Sequence, residues 1–324
     1  MPYRLPILIP VEITTMSRLL RFSSSLPALL ALVLLQPAMA ASDCVPDEEA
    51  CVEVGRWQLG LGIGLGVRTN PLEDGDDIPL VLLPMVSYTG ERFFIDSLDF
   101  GYTLWESDTQ QLNLLLTPSY DQVFFERWDP VNFVLESPGL GTALNGGGKN
   151  SSDPKEPYPL IDPGVSGSGD FEGPESLQRK LPKRHMSGLA GLEYHFRLGG
   201  YGLHLHWLKD VTDIHQGEER RLALSRAWQA GNHDLALSAG AVWQDATLTN
   251  YYYGVPQGDA YWASYEAGNA LSTQVRFDWN YRLSRHWDLR ALLSYRRLPE
   301  EITASPLVRS DKVVTAFIGG VYHF

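Results

Sequence analysis

The sequence is poor in cysteine, with only two among its 324 residues. Both lie in the N-terminal part of the chain, at Cys44 and Cys51. So few cysteines exclude a small secreted scaffold that depends on many disulfides. In an oxidising compartment the two could pair into one small disulfide loop, and two free thiols in a tail are the alternative.

Long apolar runs are also missing. Beyond the N-terminal region no stretch approaches the roughly 20 residues that a membrane-spanning helix needs. The mean hydropathy is only -0.16, although 44% of the residues are hydrophobic. If this chain crosses a membrane, it must therefore cross as strands, whose apolar residues alternate with polar ones.

Basic residues are outnumbered by acidic ones, 26 to 39, which gives a net charge of -13. This balance argues against a nucleic-acid partner, since nucleic-acid binding usually needs a basic face. It suits loops that meet water, and simple solubility explains it equally well. The chain is rich in tyrosine (15) and tryptophan (9), which favour membrane–water interfaces.

The first 40 residues contain the pattern of a secretory signal peptide. Its basic segment, apolar core and small-x-small cleavage site are Arg18 with Arg21, residues 26–35, and Ala38-Met39-Ala40. We expect cleavage between Ala40 and Ala41, with Met16 as the start of translation. The apolar core is too short for the alternative, a permanent membrane anchor.

The next segment, residues 56–69, alternates strictly between two kinds of residue, which predicts a strand. One face carries Trp57, Leu59, Leu61, Ile63, Leu65 and Val67, and the other carries Gln58, Gly60, Gly62, Gly64, Gly66 and Arg68. An apolar face opposite a glycine-rich polar face suits lipid outside and a lumen inside. Strands of soluble proteins are usually about half as long. Residues 201–208, 270–283 and 286–297 alternate in the same way.

The last segment also alternates and ends in Tyr322 and Phe324. A terminal Phe with Tyr two residues before it resembles the signal that the barrel-assembly machinery reads. After a signal peptide and several alternating strands, this ending predicts an outer-membrane protein of a Gram-negative cell. Barrel-assembly machinery and outer-membrane lipids are then expected partners.

The sequence predicts an all-β fold, an antiparallel transmembrane β-barrel of about 12 strands, with ten as the alternative. The predicted strands are 56–69, 79–88, 91–96, 98–105, 111–126, 184–196, 200–209, 218–228, 233–247, 270–283, 286–297 and 312–324. Bacterial barrels have an even strand count with short periplasmic turns. Counted back from Phe324, this parity places the long connections outside the cell.

The predicted organisation is a signal peptide (1–40), a periplasmic tail (41–55) and a barrel (56–324). Residues 127–183 form a long extracellular loop dense in Gly, Pro, Ser and Asp. A loop of that length is either functional or mobile. The part around Phe133 to Leu135 could fold inward as a plug.

Several short motifs resemble the MipA/OmpV family of outer-membrane proteins over essentially the whole mature chain. They are Pro84-Met85-Val86-Ser87-Tyr88-Thr89-Gly90-Glu91-Arg92-Phe93-Phe94, Gly101-Tyr102-Thr103-Leu104-Trp105, Asp210-Val211-Thr212-Asp213, Asn250-Tyr251-Tyr252-Tyr253-Gly254-Val255 and Ser305-Pro306-Leu307-Val308. The run Tyr251 to Val255 is the most specific. The Gly/Pro-rich stretch at 137–180 is longer than the link typical of the family.

The resemblance implies an outer-membrane barrel that acts as a non-catalytic scaffold, joining a murein transglycosylase to a peptidoglycan synthase. It supplies no catalytic residue and no cofactor. A small-solute channel and an adhesion or stress-response barrel are alternatives, and an outer-membrane lipid hydrolase is a weaker one.

Some lumen-facing residues suggest chemistry, and each has a simpler interpretation. His204 and His206, with Glu193 and His195 on the neighbouring strand, could bind a metal, but polar filling of the lumen is the favoured interpretation, so no metal site is expected. A hydrolase needs a serine hydrogen-bonded to a base. No motif marks any of the available serines, Ser225, Ser238 and Ser272.

Two further groups are expected to be structural. The charges Arg276, Asp278, Arg282, Asp288, Arg290 and Arg296 could line an ion pathway, but pairing across a narrow lumen is favoured. Tyr251, Tyr252 and Tyr253 could form a ligand platform, but an aromatic belt at the outer rim of strand 233–247 is the expectation.

Overall fold

A computed structural model of the protein describes residues 55–125 and 181–324. The expected signal peptide, both cysteines and the predicted plug segment around Phe133 lie outside the described residues, so those expectations stay predictions. The described part is built from antiparallel strands in one sheet. Among these residues, no helix has the length and apolar character needed to cross a membrane.

Thirteen strands follow one another around the sheet in chain order, except that β2 lies on β1 beyond β3. They are β1 (Arg56–Arg68), β2 (Ile78–Pro79), β3 (Leu82–Thr89), β4 (Phe93–Asp96), β5 (Asp99–Glu106), β6 (Gln110–Pro118), β7 (Gly188–Leu198), β8 (Tyr201–Asp210), β9 (Glu218–Ala230), β10 (His233–Gln244), β11 (Ala270–Arg282), β12 (Trp287–Arg297) and β13 (Lys312–His323). Within the described ranges three short helices accompany them: a 3-10 helix (Asp121–Phe124), α1 (Ala246–Tyr253) and α2 (Glu300–Thr303).

The barrel wall counts twelve strands, because β2 and β3 both pair with β1 and act as one interrupted strand. The Leu80 N–H donates to the Gly66 carbonyl and the Gly64 N–H donates to the Val81 carbonyl, so the pairing with β1 continues through the interruption. Twelve is the predicted number, and the ten-strand alternative is wrong.

The first and last strands close the barrel. β1 and β13 pair antiparallel, with Gly64 opposite Gly319. The N–H of Phe324 donates to the carbonyl of Leu59 at 2.9 Å, so pairing runs to the last residue. The barrel therefore has no open edge at this seam, as membrane-spanning strands require.

The two faces of the wall differ as the alternation predicted. On the outer face Leu65 is 76% exposed, while on the inner face Arg276 is fully buried. The inward glycines of β1 leave room for the apolar side chains of Leu80, Leu83 and Phe317 inside the barrel. The result is a lipid-facing apolar surface around a filled lumen.

Connections at the two ends are unequal, as the parity argument predicted. The short turns at the periplasmic end are 90–92, 107–109, 199–200, 231–232 and 283–286. Aromatic side chains gather there, with the Tyr322 and Phe324 ring centroids 5.0 Å apart. Such a girdle is expected where the wall meets the interface.

Three predicted strands are too long. β6 ends at Pro118 rather than 126, β10 ends at Gln244 rather than 247, and β7 begins at Gly188 rather than 184. The reason is the same in each case: the flanking residues turn away from the wall and pack into the mouth of the barrel.

The outer mouth is occupied by an apolar cluster that we call the outer cap. It is formed by residues 69–77, 119–125, 181–187, 245–269 and 298–311. Its buried core includes Leu72, Tyr120, Val123, Phe124, Leu248, Tyr252, Tyr253, Val255, Trp262, Leu298, Ile302, Leu307 and Val308. The outer connections thus have a hydrophobic core of their own.

Candidate functional site

The tyrosine run predicted as an aromatic belt lies inside the outer cap. Tyr252 and Tyr253 are both 0% exposed, in α1 rather than on the rim of β10. The belt interpretation is therefore wrong, because apolar residues from other connections cover the rings. Burial raises the pKa of Tyr252 to about 12, which keeps its hydroxyl neutral. Tyr251 is half-buried, and its hydroxyl accepts a 2.8 Å hydrogen bond from the His185 N–H.

Gly254 ends α1 at a point where no side chain fits. A Cβ there would lie 2.2 Å from Asn250 Oδ1 and 2.4 Å from the Asn250 carbonyl oxygen. That amide is already engaged, since Asn250 Oδ1 accepts a hydrogen bond from the Ala267 N–H at 2.9 Å. The glycine lets the chain leave the helix. The Asn250 side chain is hydrogen-bonded to the later segment of the same connection, at Ala267.

A second family-like motif, Ser305 to Val308, joins the first. Ser305 Oγ donates to the Tyr253 carbonyl at 2.6 Å and accepts from the Leu307 N–H at 3.2 Å. Leu307 is fully buried in the cap. The two sequence motifs are thus in direct contact, and together they build the cap.

The motif at Asp210 has a separate structural role in the 211–217 loop. Its carboxylate accepts hydrogen bonds from the Thr212 N–H and hydroxyl and from the N–H groups of His215 and Gln216, at 2.7–2.9 Å. One side chain therefore satisfies three backbone donors in a loop where both Asp213 and Gln216 have positive φ. The motif stabilises a tight turn.

Ser187, His215 and Asp210 lie together in a way that resembles a hydrolase triad. Ser187 Oγ is 2.8 Å from His215 Nε2, but His215 Nδ1 is 3.8 Å from Asp210. That Nδ1 accepts a 2.9 Å hydrogen bond from the Gly217 N–H. The proton of the neutral ring is then on Nε2, which donates to Ser187.

This tautomer is the reverse of the one a catalytic base needs, because a triad histidine takes the serine proton on Nε2. Burial lowers the pKa of His215, which favours the neutral ring. Both Ser187 and His215 are buried. The Ser187–His215 hydrogen bond therefore links the connection before β7 to the 211–217 loop.

The serines considered from the sequence do not form a catalytic group either. Ser225 Oγ lies 3.2 Å from His204 Nε2 and 3.4 Å from the Gly202 carbonyl. Ser272 Oγ accepts a hydrogen bond from Arg296 at 3.3 Å. Ser238 is buried on β10, and its hydroxyl has no hydrogen-bond partner among the described residues. No third group orients a base beside any of them in the described part of the chain.

A buried polar network lies directly below the cap and is centred on Asp121 of the 3-10 helix. Its two carboxylate oxygens accept hydrogen bonds from Arg296 at 2.9 Å and from Gln244 at 2.7 Å. Gln244 also donates to Glu219, which pairs with Arg221 at 2.6 Å. The network joins β9, β10 and β12 to the chain leaving β6, and it spans the upper lumen.

A second ionic cluster fills the lumen on the β11 side. Arg276 donates to both oxygens of Asp278, at 2.7 and 2.8 Å, and Arg290 lies 3.7 Å from the same carboxylate. Arg290 also contacts Met85 Sδ at 3.7 Å, which links β12 to β3 through the interior. The predicted charge ladder pairs in the lumen, as favoured from the sequence. Its members Arg282 and Asp288 lie nearer the periplasmic rim, where Asp288 contacts His323 at 3.0 Å.

The four residues proposed as a possible metal cluster do meet in the lumen. In the register of β7 and β8, Glu193 lies opposite His206 and His195 lies opposite His204. Glu193 Oε1 is 2.9 Å from His195 Nε2 and 3.3 Å from His206 Nε2. Strand pairing alone therefore creates a compact group of imidazole and carboxylate ligands.

The sequence of residues 59–324 matches the protein family described as MltA-interacting protein MipA. The chain belongs to the MipA family. It is 24% identical to the outer membrane protein YiaT of Escherichia coli K12, covering 82% of this chain and 89% of that protein. It is 25% identical to the MltA-interacting protein of the same organism, covering 82% and 90%.

A third MipA-like relative is the outer membrane protein OmpV of Vibrio cholerae, 26% identical over 49% of this chain and 64% of that protein. The relatives are named as outer-membrane or interacting proteins. Together with the barrel fold they confirm the predicted family and place the chain in the outer membrane.

Sequence reasoning missed three residues of this region: Asp121, Ser187 and His215. Asp121 was placed in a strand that it does not join. No periodic pattern marks it, because its partners Gln244 and Arg296 are 123 and 175 residues away in the chain. Pro118, three residues before Asp121, was the one available indication in the sequence that the strand had ended.

Proposed function

We propose that this MipA-family barrel is a non-catalytic scaffold in the outer membrane that binds a peptidoglycan-remodelling enzyme at its periplasmic end. The observation that carries the proposal is the filled lumen. Buried ion pairs centred on Asp121 and Asp278 occupy it below the outer cap. Because the interior of the barrel is occupied by its own side chains, the exposed ends are the surfaces that remain for interaction with a partner.

The identity of the partner rests on the relatives. One relative is named as an MltA-interacting protein, and the sequence resemblance implies a murein transglycosylase and a peptidoglycan synthase as partners. The buried serines and the His215 tautomer support the absence of hydrolase chemistry in the described residues.

The predicted tail, residues 41–55, is the best candidate for a partner-binding segment. The periplasmic turns of the barrel are only a few residues long, so they offer little reach. The tail carries an acidic run, Asp47-Glu48-Glu49, between Cys44 and Cys51. A charged segment anchored at the rim can steer a partner to the barrel.

The experiment is cross-linking in intact cells followed by capture of the tagged protein and identification of murein enzymes. One variant lacks residues 41–54. A matched control lacks the 14 residues 141–154 of the outer loop. We expect the tail deletion to reduce enzyme recovery about tenfold, the loss for contacts worth about 1.4 kcal/mol.

The outer-loop control is expected to recover the enzyme as the full chain does. Unchanged recovery by the tail deletion would show that the tail is not the contact. Failure of the full chain to capture any murein enzyme would refute the scaffold itself.

A further inference from the structure

A two-by-two grid of potential metal ligands lies on the inner wall of the barrel. Glu193 and His195 are two residues apart on β7, and His204 and His206 are two residues apart on β8. Residues two apart on a strand share a face, and cross-strand partners have Cβ atoms about 5 Å apart. The antiparallel register Glu193↔His206 and His195↔His204 therefore makes all four side chains neighbours.

Three of these side chains converge closely enough to share one ion. One ligand atom each from Glu193, His195 and His206 can be chosen so that all lie within 4.8 Å of one another. A tetrahedral ion about 2.0–2.1 Å from its ligands separates them by about 3.3 Å. The observed Glu193–His206 separation is 3.3 Å and the Glu193–His195 separation is 2.9 Å, so the carboxylate lies near ligand spacing from both imidazoles.

The hydrogen bonding around the three ligands leaves the coordinating atoms available. Asn113 Nδ2 donates to Glu193 Oε2 at 2.8 Å, which fixes the carboxylate and directs Oε1 toward the imidazoles. His206 is buried; its Nδ1 makes no hydrogen bond in the described part of the chain, and its Nε2 has only the 3.3 Å contact with Glu193 Oε1. A buried polar group normally has a hydrogen-bond partner, so the His206 ring has the capacity to bind a further ligand.

The fourth residue of the grid, His204, is engaged elsewhere. His204 Nε2 lies 3.2 Å from Ser225 Oγ, and its ring meets the His195 ring edge-on with centroids 4.5 Å apart. His204 therefore packs beside the three ligands and limits the rotation of His195. It does not belong to the converging set.

Acidic and basic groups both face the cluster. Asp96 and Asp99, which form a cross-strand pair at the β4–β5 turn, both interact electrostatically with Glu193. Two cations act on the histidines: Arg221, which is paired with Glu219 at 2.6 Å, and Arg197.

We propose that Glu193, His195 and His206 form a binding site for a divalent transition-metal ion of the zinc type. Imidazole nitrogen and carboxylate oxygen are the ligands that zinc takes in proteins. Three protein ligands leave at least one coordination position for water or a small molecule. The most exposed of the three side chains is His195, at 17%, so the ion enters from the lumen on that side.

The test uses the full mature chain, folded in detergent, stripped with a chelator and titrated calorimetrically with ZnCl2. We expect one zinc ion per chain. Glu193→Gln and His206→Gln are each expected to weaken binding at least about tenfold, since even outer-sphere changes at metal sites cost 10- to 100-fold. His286→Gln is the matched control, because His286 is an exposed histidine in the turn between β11 and β12, and it should bind zinc as the unaltered chain does.

X-ray absorption of the zinc-loaded unaltered chain gives a readout that needs no variant. Two histidine nitrogens and one carboxylate oxygen at about 2.0–2.2 Å are expected. Absence of stoichiometric zinc, ligand variants that fold and bind unchanged, or a spectrum without histidine ligands would each overturn the site.

Discussion

At the scale of single residues, the glycines of β1 allow the barrel to close. Gly64 lies opposite Gly319, and a Cβ on Gly64 would approach the Ile318 carbonyl oxygen to 2.3 Å and the Phe317 ring to 2.7 Å. Gly60, on the same face, has its nearest neighbour at 3.4 Å. The two positions therefore differ in the space they offer, although the sequence pattern treats them alike.

This difference gives a matched pair of variants. Gly64→Ala should destabilise the folded barrel by about 1–3 kcal/mol, because the added methyl group meets backbone that cannot move aside. Gly60→Ala should change stability little. Urea titration of folding into detergent or lipid, followed by heat-dependent migration on a gel, measures both. Equal stability of the two variants would contradict the close packing at the seam.

The inward direction of single side chains was predictable from alternation, but their partners were not. Arg276 and Asp278 were expected to face the lumen because they occupy the polar phase of β11. The contacts of Asp121 and of Ser187 with His215 depend on where a connection folds in three dimensions. No local pattern encodes that, so these residues were found only in the structure.

At the scale of elements, the outer cap differs from the wall in what holds it together. The wall depends on strand pairing, whereas the cap depends on an apolar core and on contacts such as Ser305 to Tyr253. Loosening the cap should therefore leave the barrel folded.

Gly254→Ala tests this separation, because its Cβ would clash with Asn250 at 2.2 Å. Gly268→Ala is the control in the same connection, with its nearest neighbour at 3.9 Å. A cap destabilised by at least 1.4 kcal/mol opens about ten times more often. Chymotrypsin cleavage after Tyr252 and Tyr253 in intact cells should accelerate by that factor in Gly254→Ala alone.

Unchanged cleavage in Gly254→Ala, or loss of the folded barrel, would contradict an independently packed cap.

The wall strands were predictable from their period of two, and most of their ends lie within two or three residues of the predictions. The cap was not, because three consecutive tyrosines fit an interfacial belt as well as a short buried helix. Only the contacts of α1 with Ser305 and the apolar core distinguish the two.

At the scale of the whole molecule, the even number of strands is consistent with the closure of the barrel wall. The even strand count places five short turns at the end where β1 begins and β13 finishes, and one short turn, between β4 and β5, at the other end. The described parts of the long connections meet at the other end and pack over the mouth. The sequence predicted this arrangement from alternation and turn length, since both are local properties. It left open whether the lumen is filled, because that depends on contacts between distant strands.

The measurement that tests the central claim most directly is the conductance of the purified, folded protein in a planar lipid bilayer. A lumen filled by the Asp121 and Asp278 networks beneath a packed cap predicts no steady current above that of the bare bilayer. A channel requires a continuous water-filled path. A sustained, ion-selective current from the unaltered protein would contradict the filled lumen, and with it the proposal that this barrel serves as a scaffold rather than a channel.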